Sequence, residues 1–360
     1  MHAATTDPTQ VAQAACSAST RLISGGACAG GTETAGALCG VCRAPTLWYT
    51  AARVPRGAMS TELTIAICTA DRPELCADLL DALRAAPAAA WSREVVVVDN
   101  GRERSADAVV AVRAACPELP VRRVAGPPRN IASARNVALA EARGELVLWL
   151  DDDQLVGPGF FADLERAWRA RPAWSAGLRL AVTPVIDGPA DRAMRAFFTP
   201  RLGQEGARVR RAMFSTNGFL VRRAALAGCA GPTPDGPFDP WFGTRGAEDT
   251  DVFLRAEAAG LRFSCTRLAT ASERILPERA RATYMLRRAF RIGFTDTVID
   301  MRRLSRARVV VDVIAHLGAD CVALPCALAS HDQRVARGLS LSRAAGKLWA
   351  LAGRDYQHYR

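Results

Sequence analysis

Lysine is almost missing from this 360-residue chain: Lys347 is the only one, and the other basic residues are arginines. Histidine is scarce too. The four present (His2, His316, His331 and His358) all lie outside the motifs described below, which counts against Ser-His-Asp catalysis and histidine-held zinc. Aromatic residues make up only 6%, and no nucleic-acid-binding motif is visible, so nucleic acid ranks last among partners. No window approaches the ~20 consecutive apolar residues of a membrane-spanning helix. The most apolar late stretch, Val309 to Ala329, is broken by Asp312, His316, Asp320 and Pro325. No basic stretch followed by an apolar core reads as a secretory signal.

What is present is globular. Hydrophobic residues at 49% and charged residues at 23% exclude wholesale disorder. The formal net charge is +11, and the stretch from Arg279 to Arg360 carries 15 basic against 6 acidic residues. The excess therefore sits in the C-terminal part, where it suits an anionic membrane surface or a solvated helix pair. Of the 11 cysteines, Cys68, Cys76 and Cys265 stand singly in apolar runs and read as small buried hydrophobes in a reducing compartment. Cys16, Cys28, Cys39 and Cys42 include one close pair, where a zinc knuckle needs two. Residues 1–58 are rich in Ala, Gly, Ser and Thr without amphipathic period, and are expected to be a low-complexity extension or a start-site artefact, with Met59 as the true start.

From Leu63 the pattern changes. Leu63–Cys68, Glu94–Asp99, Val121–Val124 and Glu145–Leu150 read as strands. Helices are expected from Pro73, where Leu75, Leu79 and Leu83 mark the core stripe, over 105–116, and over Ile131–Ala142. Strands alternating with helices at this spacing predict an α/β fold with a mainly parallel sheet flanked by helices. Ligands then bind beyond the carboxyl ends of the strands. Later, Leu178–Ile186, Phe214–Val221 and Arg262–Thr270 read as strands, Glu248–Ala259 as a helix, and the chain after about Arg279 as basic helices broken near Pro325. The expected parts are the extension 1–58, a catalytic domain 59–278 (nucleotide-binding half 59–160, acceptor half 161–278), and a basic helical tail 279–360.

Two constellations carry chemistry. Asp151, Asp152 and Asp153 end an apolar strand, and three adjacent carboxylates are costly together unless a cation neutralises them. The competing reading is a helix cap followed by solvated acids. Alternation along the chain lets Asp151 and Asp153 share one face, so these two are the candidate ligands of a divalent Mg²⁺ or Mn²⁺. The second constellation runs from Phe238 to Asp251, a glycine-rich loop leading into an acidic helix start, which dipole complementarity alone could also explain. At ~100° per residue Asp249 lies with Val252, Phe253 and Ala256, so it should point inward while Asp251 points outward. Asp249 is therefore the candidate general base, with Glu248 next. Trp241, just ahead, could stack on a sugar ring or pack in the core.

Thr69-Ala-Asp-Arg72, the Val95–Asp99 strand, Arg129-Asn-Ile-Ala-Ser-Ala-Arg-Asn136, the Asp151–Asp153 end and Gly246-Ala-Glu-Asp-Thr-Asp251 occur in one order and spacing. Together they resemble glycosyltransferase family 2, the inverting GT-A enzymes that use nucleotide-diphosphate sugars. The branch most resembled is the bacterial exopolysaccharide transferases of the succinoglycan type, whose late Glu-x-x-x-Pro-x-Arg run appears as Glu273 to Arg279. The resemblance covers roughly Leu63 to Gly293. It implies that Asp99 and Thr69 line the nucleotide pocket and that Arg135 approaches the nucleotide or diphosphate. It further implies that Asp151 and Asp153 form the DXD pair, with Asp152 beside them in the donor site, and that Asp249 takes the acceptor's proton. Glu273 stands where many relatives place a metal-ligating histidine, and an ion pair with Arg274 or Arg279 is the expectation there. The implied enzyme is cytoplasmic, peripheral at the inner face of the cell membrane, and takes a nucleotide-sugar donor and a saccharide or lipid-linked acceptor. Rival readings are a nucleotidyltransferase of similar topology and an inactive membrane-surface scaffold. The first usually needs glycine and lysine in the opening loop, and Thr69 to Pro73 has neither; the intact acid set argues against the second. A strip of Arg281, Arg288, Arg291 and Arg302, within about 80° on one helix, is the expected membrane contact, with Leu286, Phe290 and Phe294 on the other side.

Overall fold

The computed structural model describes residues 61–102, 119–188, 192–229, 231–322 and 330–358. The extension 1–58 with its four cysteines, and the helix expected over 105–116, lie outside them.

Eight strands form one sheet in the order β3-β2-β1-β4-β7-β6-β8-β5. Its first half is parallel: β3 (Val121–Ala125), β2 (Arg93–Asp99), β1 (Leu63–Thr69) and β4 (Leu146–Asp151). The strands read as near-continuous apolar runs because helices cover both faces. On one face α1 (Pro73–Ala85) and α3 (Phe160–Ala170) bury Leu79, Leu83, Phe161 and Leu164 against Ile65, Ile67, Val95 and Val97. On the other, α2 (Ile131–Glu141) sets Ala134 and Ala138 against Ala66, Val96 and Val98. Proline at the first turn of α1 costs no hydrogen bond there, since that N–H lacks a helical acceptor anyway.

The second half is mixed. β7 (Phe219–Arg222) runs antiparallel to β4 and to β6 (Gly177–Ile186); β8 (Ser264–Ile275) runs parallel to β6; β5 (Gln154–Val156) closes the far edge antiparallel to β8. The chain thus leaves β4 in the middle of the sheet, turns through Asp152 and Asp153, and re-enters at the edge with Gln154 opposite Glu273. Phe214, Phe219, Phe253 and Phe263 pack edge to face and in parallel stacks beneath this half, each fully buried aromatic worth ~1.5–3 kcal/mol. The strand expected over Phe214–Val221 begins only at Phe219, because Asn217-Gly218 makes a turn with Gly218 at φ 66°. The strand expected to stop at Thr270 continues to Ile275, since β5 pairs with its second half.

Three shorter helices pack with the sheet: α4 (Arg192–Phe198), α5 (Arg223–Ala227) and α6 (Glu248–Ala258). Three long ones follow, α7 (Ala282–Arg303), α8 (Arg306–Val322) and α9 (His331–Leu351). α7 packs on the sheet domain through Phe294 and Ile299, and α9 approaches it closely enough that Gly346 lies against the Phe290 carbonyl. The arginine strip expected to face solvent is largely engaged. Arg302 bonds Asp239 at 2.7 Å and covers the Trp241 ring, Arg288 lies over Phe198, and Arg291 lies against Gly246. Of the residues opposite them, Phe290 packs against Trp349 and Tyr356, Phe294 is buried, and Leu286 is 39% exposed.

Candidate active site

The carboxyl ends of β1, β2 and β4 meet at one rim. Thr69 and Asp99 are register partners there, both buried. Asp99 accepts from the Gly101 N–H at 2.9 Å, and Thr69 donates its hydroxyl to Asp152 at 2.8 Å. All three non-glycine residues with left-handed backbone among the described residues, Asp71, Arg129 and Ala247, lie in the loops around this rim. Such conformations cost energy and collect at functional sites.

The three adjacent aspartates take different environments. Asp151 is 38% exposed and faces Arg135 at 3.4 Å. Burial pushes its carboxyl up, Arg135 pulls it back, and Asp153 and Asp249 crowd it. Asp152 is buried, accepts from Thr69 and from Arg72 at 3.3 Å, and is pushed up to about 6, chiefly by burial. Asp153 is buried and takes Arg279 on Oδ2 at 2.7 Å, while its Oδ1 is buried without a hydrogen-bond partner. A buried carboxylate oxygen left without a donor is costly. The residues fit a divalent ion held by two carboxylates, with phosphate oxygens and water completing the shell: Asp153 offers the orphaned oxygen and Asp151 a half-exposed group. Among the described residues no three acidic, histidine or cysteine side chains close into a complete metal cage.

The opposite wall is built by α2. Asn130 caps it, accepting from the Ser133 N–H and donating to the Pro240 carbonyl, each at 3.0 Å. Asn136, further along, brackets Phe238 through its N–H (2.9 Å) and carbonyl (2.8 Å). One short run of sequence thus clips the loop 238–240 against α2, and a side chain at Gly243 would strike Asn130. The loop ends in two left-handed residues, Gly246 (φ 82°) and Ala247 (φ 72°), and that turn starts α6 with Glu248 aimed at Arg135.

Arg135 and Glu248 form a buried ion pair. Neighbouring carboxylates Glu248, Asp151 and Asp249 hold the Arg135 guanidinium firmly charged despite its burial. Glu248 is pushed up to about 7 by burial, Arg135 opposing and Asp249 adding to the rise, and its Oε2 has no hydrogen-bond partner. Asp249 is only half-buried, and its carboxylate accepts hydrogen bonds from the neighbouring Thr250 N–H and hydroxyl. The inward and outward assignment made from helical periodicity needs correction. Asp251 is buried and paired with Arg255 at 2.8 Å, and Glu248 is the deepest of the three acids, while Asp249 sits at the edge. The reason is tertiary: Arg255 also reaches the Pro237 carbonyl, so the preceding loop covers the face that periodicity left to solvent.

Sequence reasoning missed a line of amides. Gln154 accepts from the Asp151 N–H at 2.9 Å and donates to Asn217 at 2.8 Å; Asn217 donates to Glu273 at 2.9 Å. Glu273 lies 4.0 Å from Arg279, and Arg274 pairs instead with Asp78 at 3.2 Å. Burial raises the Glu273 carboxyl. Beneath them Arg179 is buried, bonded to the Asn217 and Gly218 carbonyls, and held down to about 10 by desolvation. The signal available in the sequence was Asn217-Gly218, a turn dipeptide between apolar runs. Trp241 touches Phe242, Phe294, Arg245 and Arg302, contacts that occupy its ring with the protein's own side chains.

The profile of Glycosyl transferase family 2 matches residues 64–226. Succinoglycan biosynthesis protein ExoM of Rhizobium meliloti (strain 1021) is 32% identical over 238 residues, 65% of this chain and 73% of that protein. Among solved structures, mannosyltransferase PcManGT from Pyrobaculum calidifontis, in complex with GDP-Man and Mn²⁺, is similar in fold over 82% of this chain and 88% of its own, with a TM-score of 0.57 at 19% identity. S. aureus TarS matches over 64% of this chain with a TM-score of 0.42 at 20% identity, and the match spans 39% of that longer protein.

Proposed function

The chain belongs to glycosyl transferase family 2, and on that premise we propose that it moves a sugar, with inversion, from a nucleotide-diphosphate donor to a hydroxyl of a saccharide or lipid-linked acceptor in exopolysaccharide assembly. One observation carries the reading. A strand-end acid cluster with an orphaned carboxylate oxygen on Asp153 stands across Arg135 from a half-exposed acid, Asp249.

In this reading the nucleotide lies beyond β1 and β2, against Thr69 and Asp99. Asp151 and Asp153 hold the divalent ion, Mg²⁺ or Mn²⁺, with Asp152 braced between Thr69 and Arg72 behind them. When bound, that ion stabilises negative charge on the departing diphosphate. Arg135 orients Asp151 and neutralises Glu248, so the acids do not repel the donor. Asp249 takes the acceptor hydroxyl's proton. An acceptor hydroxyl is a poor nucleophile until a positioned carboxylate removes its proton, and a base on the face opposite the leaving group gives a single inverting displacement. Glu248 is tied to Arg135 and serves as a positioning residue; Asp249, half-exposed and bonded only by Thr250 among the described residues, is free to meet an acceptor. Similarity to a succinoglycan biosynthesis protein, and in fold to a mannosyltransferase in complex with GDP-Man and Mn²⁺, supports this donor and acceptor class.

The test is a donor panel of UDP-, GDP- and dTDP-sugars with Mn²⁺ and a saccharide acceptor, following nucleotide release and the anomeric configuration of the product. Acceptor-dependent release with inverted product is expected from one donor. Retained configuration would overturn the single-displacement reading.

A further inference from the structure

Three of the four arginines expected to meet a membrane, Arg288, Arg291 and Arg302, lie against the protein's own surface, but a neighbouring helix leaves one side open. α8 buries Val309 and Val313, at 2% and 3% exposure, and leaves Val311 and Ile314 at 59% and 62%. At ~100° per residue, Ala307, Val311, Ile314, Ala315 and Gly318 share the side away from the buried pair, and all five are exposed. No acid falls on that side: Asp312 projects elsewhere, and His316 turns back to the Asp312 carbonyl at 2.6 Å. Exposed Arg303 and Arg308, with Leu304 at 45% exposure, lie at its start, while Arg306 donates to the Leu351 carbonyl at 3.4 Å on the side toward α9. Arg308 pairs with Asp312 at 3.2 Å in the open, a contact worth little in water and readily exchanged for a lipid phosphate.

We infer that the outward face of α8 docks the enzyme onto an anionic bilayer, lying in the plane of the interface with Val311 and Ile314 dipped below the headgroups and Arg303 and Arg308 on lipid phosphates. The chemistry favours a bilayer over a protein partner. The exposed side of α8 is apolar along Val311, Ile314 and Ala315 and flanked by arginine at its start, as in interfacial helices. No helix among the described residues is long and apolar enough to cross a membrane, so the attachment is a reversible surface one. The inference deepens the lipid-linked acceptor reading above, yet it stands on the exposure and charge of α8 and not on any catalytic assignment.

Co-sedimentation of the full chain with vesicles tests it, using phosphatidylglycerol-containing and pure phosphatidylcholine vesicles at low and high salt. Binding to the anionic vesicles only, weakened by salt, is expected. Arg303→Gln and Arg308→Gln should each weaken it about fivefold. The double variant Val311→Glu/Ile314→Glu should abolish it while leaving the circular dichroism melt unchanged, since both side chains already face solvent. Turnover with a soluble acceptor should be the same in all variants, which separates failure of this inference from failure of the catalytic reading. No binding at low salt, equal binding to neutral vesicles, or binding unaffected by the double variant would overturn it. So would a concentration-dependent dimer that Ile314→Glu dissolves without any vesicle binding, which would make the face a contact between copies.

Discussion

The two halves of the sheet achieve order by different means. In the parallel half the inner strands β2, β1 and β4 are mostly apolar and packed on both faces, with one buried polar pair, Thr64 donating to Glu94 at 2.7 Å, so position is set chiefly by packing. In the mixed half, β7-β6-β8-β5, polar groups intrude: buried Arg179 donates to the Asn217 and Gly218 carbonyls, and buried Gln154 and half-buried Asn217 and Glu273 form a hydrogen-bonded line. The first half offers a rim on which the groups proposed to bind the donor hang. The second carries a hydrogen-bonded frame that fixes the acid turn after β4 from behind. Satisfied polar networks of this kind specify geometry, and half-satisfied ones fail badly, so the two halves should break in different ways.

The largest effect is expected between them, at Asp249. Asp249→Asn keeps shape and hydrogen bonding but removes proton acceptance, and should lower kcat by ~10²–10⁴ with donor affinity nearly unchanged. Steady-state kinetics beside direct donor binding would show this. An active Asp249→Asn with a dead Glu248→Gln would transfer the role of base to Glu248.

Next comes a paired comparison of the halves. Ile65→Ala, in the parallel core, should cost ~2–5 kcal/mol of stability and leave kcat of the folded enzyme intact. Asn217→Ala should cost ~1–3 kcal/mol, because Glu273 and Gln154 each lose a partner, and should also lower kcat by loosening Asp151. Denaturant unfolding and kinetics on the same samples separate the two. If Asn217→Ala loses stability alone, the amide frame is structural only.

A pH effect of smaller size follows from Glu248. Its carboxyl, 4.5 in the ordinary state and about 7 in the fold, keeps a proton that the unfolded chain releases. The native state therefore binds more protons between these values, and stability falls as pH rises from about 4.5 to 7. Glu248→Gln should flatten that slope in melts taken across the window. A wild-type stability that rises over the same range would reverse the sign.

The smallest effect is expected at the C-terminal segment, where Asp355 bonds the Arg245 guanidinium at 2.8 Å through Nε. This pair is open to solvent on the Asp355 side, so Asp355→Asn should cost no more than ~1 kcal/mol. A large loss of turnover there would show that the segment braces the loop leading to Glu248.

The same division governs what the sequence discloses. β1, α1, β2, β3, α2 and β4 lie within a residue or two of their expected bounds, because two-sided burial writes apolar runs and helix-covered strand ends into the chain itself. The mixed half was harder. β5 is three residues long and owes its existence to β8, and β7 shrank because Asn217-Gly218 turns. The acids at the strand ends were legible, as was the helix beginning at Glu248. Which of Glu248, Asp249 and Asp251 faces inward was not, since that depends on a loop folded over α6 by Arg255 and Pro237. Periodicity reports an isolated helix; the covering loop is a tertiary fact. Likewise the arginines of α7 formed a strip by angle alone, while Trp241, Asp239 and Phe198 had already claimed Arg302 and Arg288.

Calorimetric titration of UDP-, GDP- and dTDP-sugars into the wild type and Asp153→Ala, each in Mn²⁺ and in EDTA, tests the central claim most directly. One donor should bind the wild type more tightly with Mn²⁺ than in EDTA, and Asp153→Ala, shown by its circular dichroism spectrum to be folded, should lose that difference. Equal affinity of the wild type in Mn²⁺ and EDTA, or no nucleotide-sugar binding in either, would contradict the account.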